Sequence, residues 1–319
     1  MSNIRTRGLQ MIPYADHDEW LQIRRGHFGG TNAGAIIGAN PYSSAFSVWA
    51  EKTGQTPEFE GNVSTRVGTE LEDFVAHLFM EETGKRVQRI NYTIVNPAYP
   101  WACANIDREI MGEDALLEIK TTSSWDVSKM TRNGQFPDMW WAQVCHYLAV
   151  TGCQKAYLAV LVECRELRIF ELERDEDEIR ALMEAERSFW DDYVAPKKTP
   201  PVDGHSATTE AIRKIFHSED AGEAADLSGL IGVFQQRKIL SEQIKALKGQ
   251  LDALENDIKV AMGTAAAGKC GIFNVSWKSQ RTAALDRDLI REDYPDIDFG
   301  KYQKSTRVFR VTEKKVKSA

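Results

Sequence analysis

The amino-acid sequence predicts an α/β protein with a central mixed β-sheet flanked by helices, followed by a smaller C-terminal α+β extension that contains a helical heptad segment. Three observations lead there. Periodicity along residues 1–193 runs helix, three strands, helix, two strands, the order of a mixed sheet with helices on its faces. Residues 194–204, VAPKKTPPVDG, hold four prolines or glycines in eleven positions and mark a linker. Beyond it, apolar residues recur at heptad spacing. The expected domains are therefore 1–203 and 204–319.

A helix is predicted from a cap at Asp16 or Asp18 through Trp20, Leu21 and Ile23 to Arg24 and Arg25. The small-residue run GGTNAGAIIGANPY, 29–42, gives a turn, a short helix and a proline-marked exit. Next come a helix over 44–53 closed by Gly54 and a loop over 55–61. Val67, Leu71, Phe74, Val75, Leu78 and Phe79 recur at helical spacing, and Gly84 ends that helix. Strands are expected over 87–95, 101–110 and 115–121, then a helix over 137–150 that stops at Thr151 and Gly152. A hairpin joins 156–162 to 167–172, and a helix over 176–193 completes the domain. In the second domain Leu240, Ile244, Leu247, Leu251, Leu254 and Ile258 are spaced four, three, four, three and four. That seam serves either a partner chain or its own domain. GIFNVSWK, 271–278, and RVFRV, 307–311, alternate like two strands of a small terminal sheet.

Composition narrows the class. Of 319 residues 42% are hydrophobic and 27% charged, and no apolar run nears the roughly 20 residues that span a bilayer. The first residues, MSNIRTRGLQ, lack a signal-peptide core, so the expected location is the cytoplasm with no membrane association. Five cysteines, odd in number and without a CxxC pair, point to neither a disulfide framework nor a zinc or iron-sulfur cluster. A formal charge of −7 argues against a protein that coats nucleic acid, because such binding neutralises phosphates. It is compatible with an enzyme that gathers carboxylates around metal ions. After Gly300, seven Lys or Arg stand against one acid, Glu313; that tail either follows a phosphate backbone or is simply solvated.

The chemistry centres on LLEIKTTSSWD, 116–126. Side chains alternate along a strand, so Glu118 and Lys120 share one face while Leu117 and Ile119 share the other. A structural ion pair and a reaction centre both satisfy that placement. Asp107 lies eleven residues upstream of Glu118, and the Gly-Glu-Asp turn between them makes a hairpin that brings the two carboxylates together. Two carboxylates in one patch repel unless a cation sits between them. Such oxygen ligands suit Mg²⁺ or Mn²⁺, and a lysine beside them can orient water for phosphodiester hydrolysis.

In this order, Asp followed by Glu-x-Lys, the residues resemble the PD-(D/E)xK nuclease superfamily, with Ile106 where the family has proline. Gly68 to Glu72, GTELE, is similar to the family's GxxxE, and Gln143 to Tyr147, QVCHY, to the QxxxY of its exonuclease branch. Residues four apart share a helix face, so Gln143 and Tyr147 both address the site. WLQIRRGHFGGTNAGAIIGANPY, 20–42, resembles the N-terminal signature of YqaJ-type phage recombination nucleases, relatives of phage lambda exonuclease. The resemblance covers roughly residues 20–203, and the heptad segment with its strand pair is similar to extensions common in that family.

The resemblance implies a PD-(D/E)xK nuclease core in which Asp107, Glu118 and the Ile119 carbonyl hold one Mg²⁺ (Mn²⁺ being the alternative), with Glu72 completing a two-metal site. It implies that Lys120 positions the attacking water and that Gln143 and Tyr147 order the substrate strand. Arg24 and Thr31 fall on the residues that bind a terminal 5′-phosphate, a role suited to a bidentate guanidinium and a hydroxyl. The implied activity is a 5′ to 3′ exonuclease on double-stranded DNA ends that leaves 3′ single strands for recombination. The implied partners are a single-strand annealing protein and, as a homo-oligomer, a ring trimer; the second domain is expected to mediate partner or self association. An endonuclease on the same core and a non-catalytic DNA-binding scaffold are the competing readings. Trp125, just past the Glu118–Lys120 strand, is a further candidate for DNA contact.

Overall fold

The computed structural model describes residues 4–57, 61–218 and 224–279, together with 290, 292, 294, 298 and 311. It divides into two compact units, 1–217 and 218–319.

The first unit is built on a five-stranded sheet. Its strands are β2 (Val87–Gln88), β5 (Arg108–Ile110), β6 (Ala115–Thr122), β7 (Lys155–Val162) and β8 (Glu166–Glu173), in the order β2-β5-β6-β7-β8. The β6 and β7 pair is parallel and the others antiparallel, so the sheet is mixed as expected. A parallel pair needs a long crossover, here α5 (Trp125–Arg132) and α6 (Asp138–Thr151). A smaller antiparallel sheet combines β1 (Gln10–Pro13), β3 (Tyr92–Val95) and β4 (Cys103–Ala104).

Helices cover both faces of the larger sheet. Leu117 and Ile119 point to one side, where they cluster with Val75 and Phe79 of α4 (Val63–Thr83). Leu116 points to the other, where it joins Ala142, Val144 and Leu148 of α6. Every residue of α6 from Ala142 to Thr151 is buried, which marks it as the central helix of the unit rather than an amphipathic surface one. The remaining helices are α1 (His17–Arg25), α2 (Gly30–Ile36), α3 (Ala45–Lys52), α7 (Glu176–Phe189) and α8 (Ser206–Ile215). Asp16 caps α1 by accepting from the Glu19 amide, and Ser44 caps α3 from the Ser47 amide. Gly84 and Gly152 close α4 and α6 with φ near 70°, a left-handed conformation that costs other residues energy.

Several expectations change. The strands expected over 87–95 and 101–110 each divide in two, because their halves serve different sheets; the second break leaves Asp107 just outside the ladder. The helix expected to reach Tyr193 ends at Phe189 and continues as one wider turn, in which Ala195 N–H reaches the Trp190 carbonyl five residues back. The domain boundary expected at 203/204 moves to 217/218. Helix α8 stays with the first unit because Ala211, Ile212 and Ile215 join a cluster with Phe46 and Trp49. Thr208 Oγ1 also donates to Ser44 Oγ at 2.7 Å. Strand β1 and helices α5 and α8 were not foreseen.

The second unit contains α9 (Ile231–Met262) and a hairpin of β9 (Ala267–Cys270) with β10 (Phe273–Ser276). The strand expected over 271–278 is thus present and pairs with 267–270 in the described residues. Its expected partner, 307–311, and the basic tail lie outside them except for Val311. Among the described residues no helix is long and apolar enough to cross a membrane.

Candidate active site

Strand β6 turns Glu118 and Lys120 toward α6, and the helix answers with Gln143 and Tyr147 one turn apart on its facing side. Lys120 Nζ donates to Glu118 Oε1 at 2.6 Å and to Gln143 Oε1 at 2.9 Å. Gln143 Nε2 donates to the same Glu118 oxygen at 2.6 Å and to the Tyr147 hydroxyl at 3.1 Å. Glu118, Gln143 and Tyr147 are buried, while Lys120 keeps partial exposure.

The register of β5 against β6, Arg108 opposite Leu117, sets Asp107 across from Glu118. Asp107 Oδ2 accepts from the Ile119 amide at 2.7 Å. In a strand the N–H and C=O of one residue point to the same side, so the Ile119 carbonyl shares the Asp107 edge. Burial pushes the Asp107 carboxyl well above the usual range, and the nearby charges of Glu118 and Glu72 add to the rise against the opposing pull of Lys120 and the Ile119 amide. Burial also raises Glu118, again against Lys120. The Tyr147 phenol goes up well beyond its ordinary value through burial and then the two carboxylates.

Glu72 stands apart from these two. Its carboxylate is ion-paired to the Arg108 guanidinium, which also binds Asp73 and the Asp107 carbonyl. Among the described residues no three His, Cys, Asp or Glu side chains form a ready metal-ligand group. The third carboxylate expected at the metal site is therefore held by an arginine instead. The observation that favours a cation at the remaining pair is Glu118 Oε2, buried with no hydrogen-bond partner in the structure, beside a second desolvated carboxylate. A lone buried oxygen with a like-charged neighbour is costly, and a hard divalent ion relieves both terms.

Arg24 and Thr31 are brought together: an Arg24 Nη donates to Thr31 Oγ1 at 3.2 Å, and the guanidinium carbon lies 4.6 Å from the centre of the Trp20 ring. They connect to the carboxylates through Gly30, the first residue of α2. An ideal Cβ there would sit 2.6 Å from Tyr147 Cε1 and 2.9 Å from Gln143 Cγ. Only glycine lets α2 lie this close to α6. On the opposite face of the sheet a Cβ on Gly68 would meet Thr121 Oγ1 at 3.6 Å, ordinary contact, as α4 lies over β6.

Two functional residues escaped sequence reasoning. Gly30 was legible only as part of a small-residue run, and Arg108 carried no signal. His146, off the Gln143–Tyr147 face, is buried elsewhere: Nδ1 meets Glu186 Oε1 at 2.7 Å and Nε2 meets the Cys103 carbonyl at 2.9 Å.

A curated relative, the protein YqaJ of Bacillus subtilis (strain 168), is 35% identical over 320 residues, covering 99% of this chain and 100% of its own. The chain belongs to the YqaJ family. Residues 19–154 match the model of the YqaJ-like viral recombinase domain, a span that takes in every candidate from Arg24 to Tyr147. Among solved structures, LHK-Exo in complex with dAMP is similar with a TM-score of 0.50 at 20% identity, covering 57% of this chain and 94% of that one. A second structure of this alkaline exonuclease, from Laribacter hongkongensis, has a TM-score of 0.45 at 21% identity and covers 57% and 97%. At these identities the likeness is one of fold. The YqaJ-family chain has the mixed-sheet fold of phage-type exonucleases.

Proposed function

We propose that the first unit is a metal-dependent exonuclease that engages ends of double-stranded DNA, digests the 5′-ended strand and leaves 3′ single strands for phage-type recombination. The observation that carries this reading is the Lys120–Glu118–Gln143–Tyr147 network beside Asp107, with one Glu118 oxygen buried and unpartnered. Asp107, Glu118 and the Ile119 carbonyl would hold Mg²⁺, or Mn²⁺. When bound, such an ion polarises the phosphodiester and favours ionised water as nucleophile.

The chain's own residues supply positioning. Lys120, fixed from two sides by Glu118 and Gln143, keeps an ammonium proton free to orient the attacking water. Attack at phosphorus forms the new P–O bond as the bond to the 3′ oxygen breaks, and a proton from solvent meets the departing oxygen. Tyr147 stays protonated at neutral pH and orients Gln143. Arg24 with Thr31 would take the terminal 5′-phosphate, which biases digestion to one polarity. Glu72, placed on Arg108, would act through that arginine on the backbone at Asp107, in place of the two-metal role expected from the sequence. That LHK-Exo was solved in complex with dAMP supports release of mononucleotides. The partner that fits a product with 3′ single strands is a single-strand annealing protein.

The test is digestion of linear duplex DNA with or without a 5′-phosphate, in Mg²⁺ and with chelator, beside covalently closed circles. The expected result is Mg²⁺-dependent loss of the linear, 5′-phosphorylated substrate with circles intact. Nicking of circles, or digestion that persists in chelator, overturns the proposal.

A further inference from the structure

Helix α9 spans 32 residues, about 48 Å at 1.5 Å per residue, and no residue of it is buried. Its exposure is organised. Ile244, Leu251 and Ile258 fall on one heptad position and Leu240, Leu247 and Leu254 on the other, and all six are 47–66% exposed. The four-residue step from Leu240 to Ile244 makes the leucine set position d and the set with two isoleucines position a. Leu230 and Val233 continue the same line N-terminally, also exposed. A single apolar line of this length is more than the scattered exposed hydrophobics of an ordinary surface.

We propose that α9 is the strand of a parallel two-stranded coiled coil and that its occupant is α9 of a second copy of this chain. Three features select that occupant. Isoleucine at a with leucine at d favours two parallel strands over three or four, and here a carries isoleucine at two of three central positions while every central d is leucine. Arg237 occupies the a position between Val233 and Leu240, and a single polar a residue fixes register in such pairs. The flanking positions are compatible with self-pairing in register: Gln243 would face Lys248 of the copy, and Gln250 would face Glu255, so no like charges meet.

The area suffices. Covering a leucine or isoleucine removes roughly 60–120 Å² from water, so eight seam residues on each of two helices amount to roughly 1,000–1,900 Å². Stable interfaces begin at about 1,200 Å². The proposal is independent of the nuclease reading, and it differs from the ring trimer that the family resemblance implies.

The experiment uses the full-length chain. Light scattering and sedimentation give its mass across a concentration series, and the doubly substituted Leu247→Glu, Leu254→Glu chain is measured beside it. The expected result is a wild-type mass of two chains and a variant mass of one, with the thermal unfolding of the first unit unchanged. A wild-type mass of one or three chains overturns the proposal, as does a variant that keeps the wild-type mass. Orientation is read separately, with Leu254→Cys in a background where the exposed Cys164 and Cys270 are replaced by serine. A parallel pair brings residue 254 of the two copies together, so oxidation should give a disulfide dimer. A two-chain mass without that cross-link rejects the parallel arrangement.

Discussion

Gly30→Ala tests whether the contact between α2 and α6 holds the catalytic network in place. The added methyl would start 2.6 Å from Tyr147 Cε1 and 2.9 Å from Gln143 Cγ, against a floor near 3.4 Å for nearly all real Cβ contacts. The tyrosine ring must therefore retreat by about 0.8 Å, and the glutamine by about 0.5 Å. Neither group is a flexible tip, since Gln143 is bonded to Lys120, Glu118 and Tyr147 at once. Overpacking of this kind costs roughly 1–3 kcal/mol, which for a unit of this size lowers Tm by roughly 2–12 °C. Activity should fall further than stability does, because misplacing a positioned group by about 1 Å costs on the order of 10²-fold in rate. Gly34→Ala is the control. It sits on the same helix, and its Cβ meets Met139 Cα at 3.1 Å and Cβ at 3.2 Å, away from the network. Both variants should lose stability, and at a temperature well below either melt only Gly30→Ala should lose digestion of linear duplex. Equal activity in the two variants would refute the reasoning.

Four further outcomes are expected. Lys120→Ala should lower turnover by about 10²–10⁴ with little change in DNA affinity, measured by nucleotide release and by binding in Ca²⁺; near-normal digestion sinks its assignment. Adding Mg²⁺ at a hundred times its dissociation constant should stabilise the wild type by about 2.7 kcal/mol, and Asp107→Asn should abolish that rise in Tm; a shift that survives the substitution places the ion elsewhere. Burial lowers His146, but the Glu186 charge and hydrogen bond and the Cys103 carbonyl outweigh it and raise the imidazole above 6.5. The stabilisation is thus complete below the unfolded value and lost as pH rises through the folded one, so His146→Ala, at about 3–5 kcal/mol, should cost more at pH 6 than at pH 9; equal losses refute the charged pair. Trp125, 69% exposed with Lys129 Nζ 5.4 Å from its ring centre, should contribute about 1–3 kcal/mol to single-strand binding, retained by Trp125→Phe and lost in Trp125→Ala. Equal affinity in the two variants rules out stacking.

The parts of the site legible in the sequence are those set by local periodicity. Alternation along 115–122 puts Glu118 and Lys120 on one face, and the four-residue step from Gln143 to Tyr147 puts both on one side of a helix. The hairpin length between Asp107 and Glu118 supplied the pairing. What escaped depends on approach in three dimensions. Gly30 matters because of two rings and chains over a hundred residues away, and Arg108 because α4 passes its end of β5. The same limit explains the misplaced domain boundary. The proline-rich run is a linker by composition, yet α8 beyond it finds its apolar partners on α3, and burial outranks composition. The strands over 87–95 and 101–110 read as single runs because nothing local says that their halves serve separate sheets.

The electrostatics of the site follow one logic. Three acidic groups, Glu72, Asp107 and Glu118, influence one another, and each is answered differently: Glu72 by Arg108, Glu118 by Lys120 and Gln143, and Asp107 by a single backbone amide. Packing alone gives no reason to bury Asp107 there, since a neutral residue would remove its repulsion with Glu118 at no loss of a salt bridge. The arginine explains why the cost stays bounded. By holding Glu72 and the Asp107 carbonyl together, it takes one carboxylate out of the pocket and fixes the backbone of another. The remaining negative charge is concentrated between Asp107 and the unpartnered Glu118 oxygen, next to a lysine whose position is set by two hydrogen bonds. A site that breaks the rule of satisfied buried charge at one point and obeys it around that point has the signature of function rather than of faulty packing.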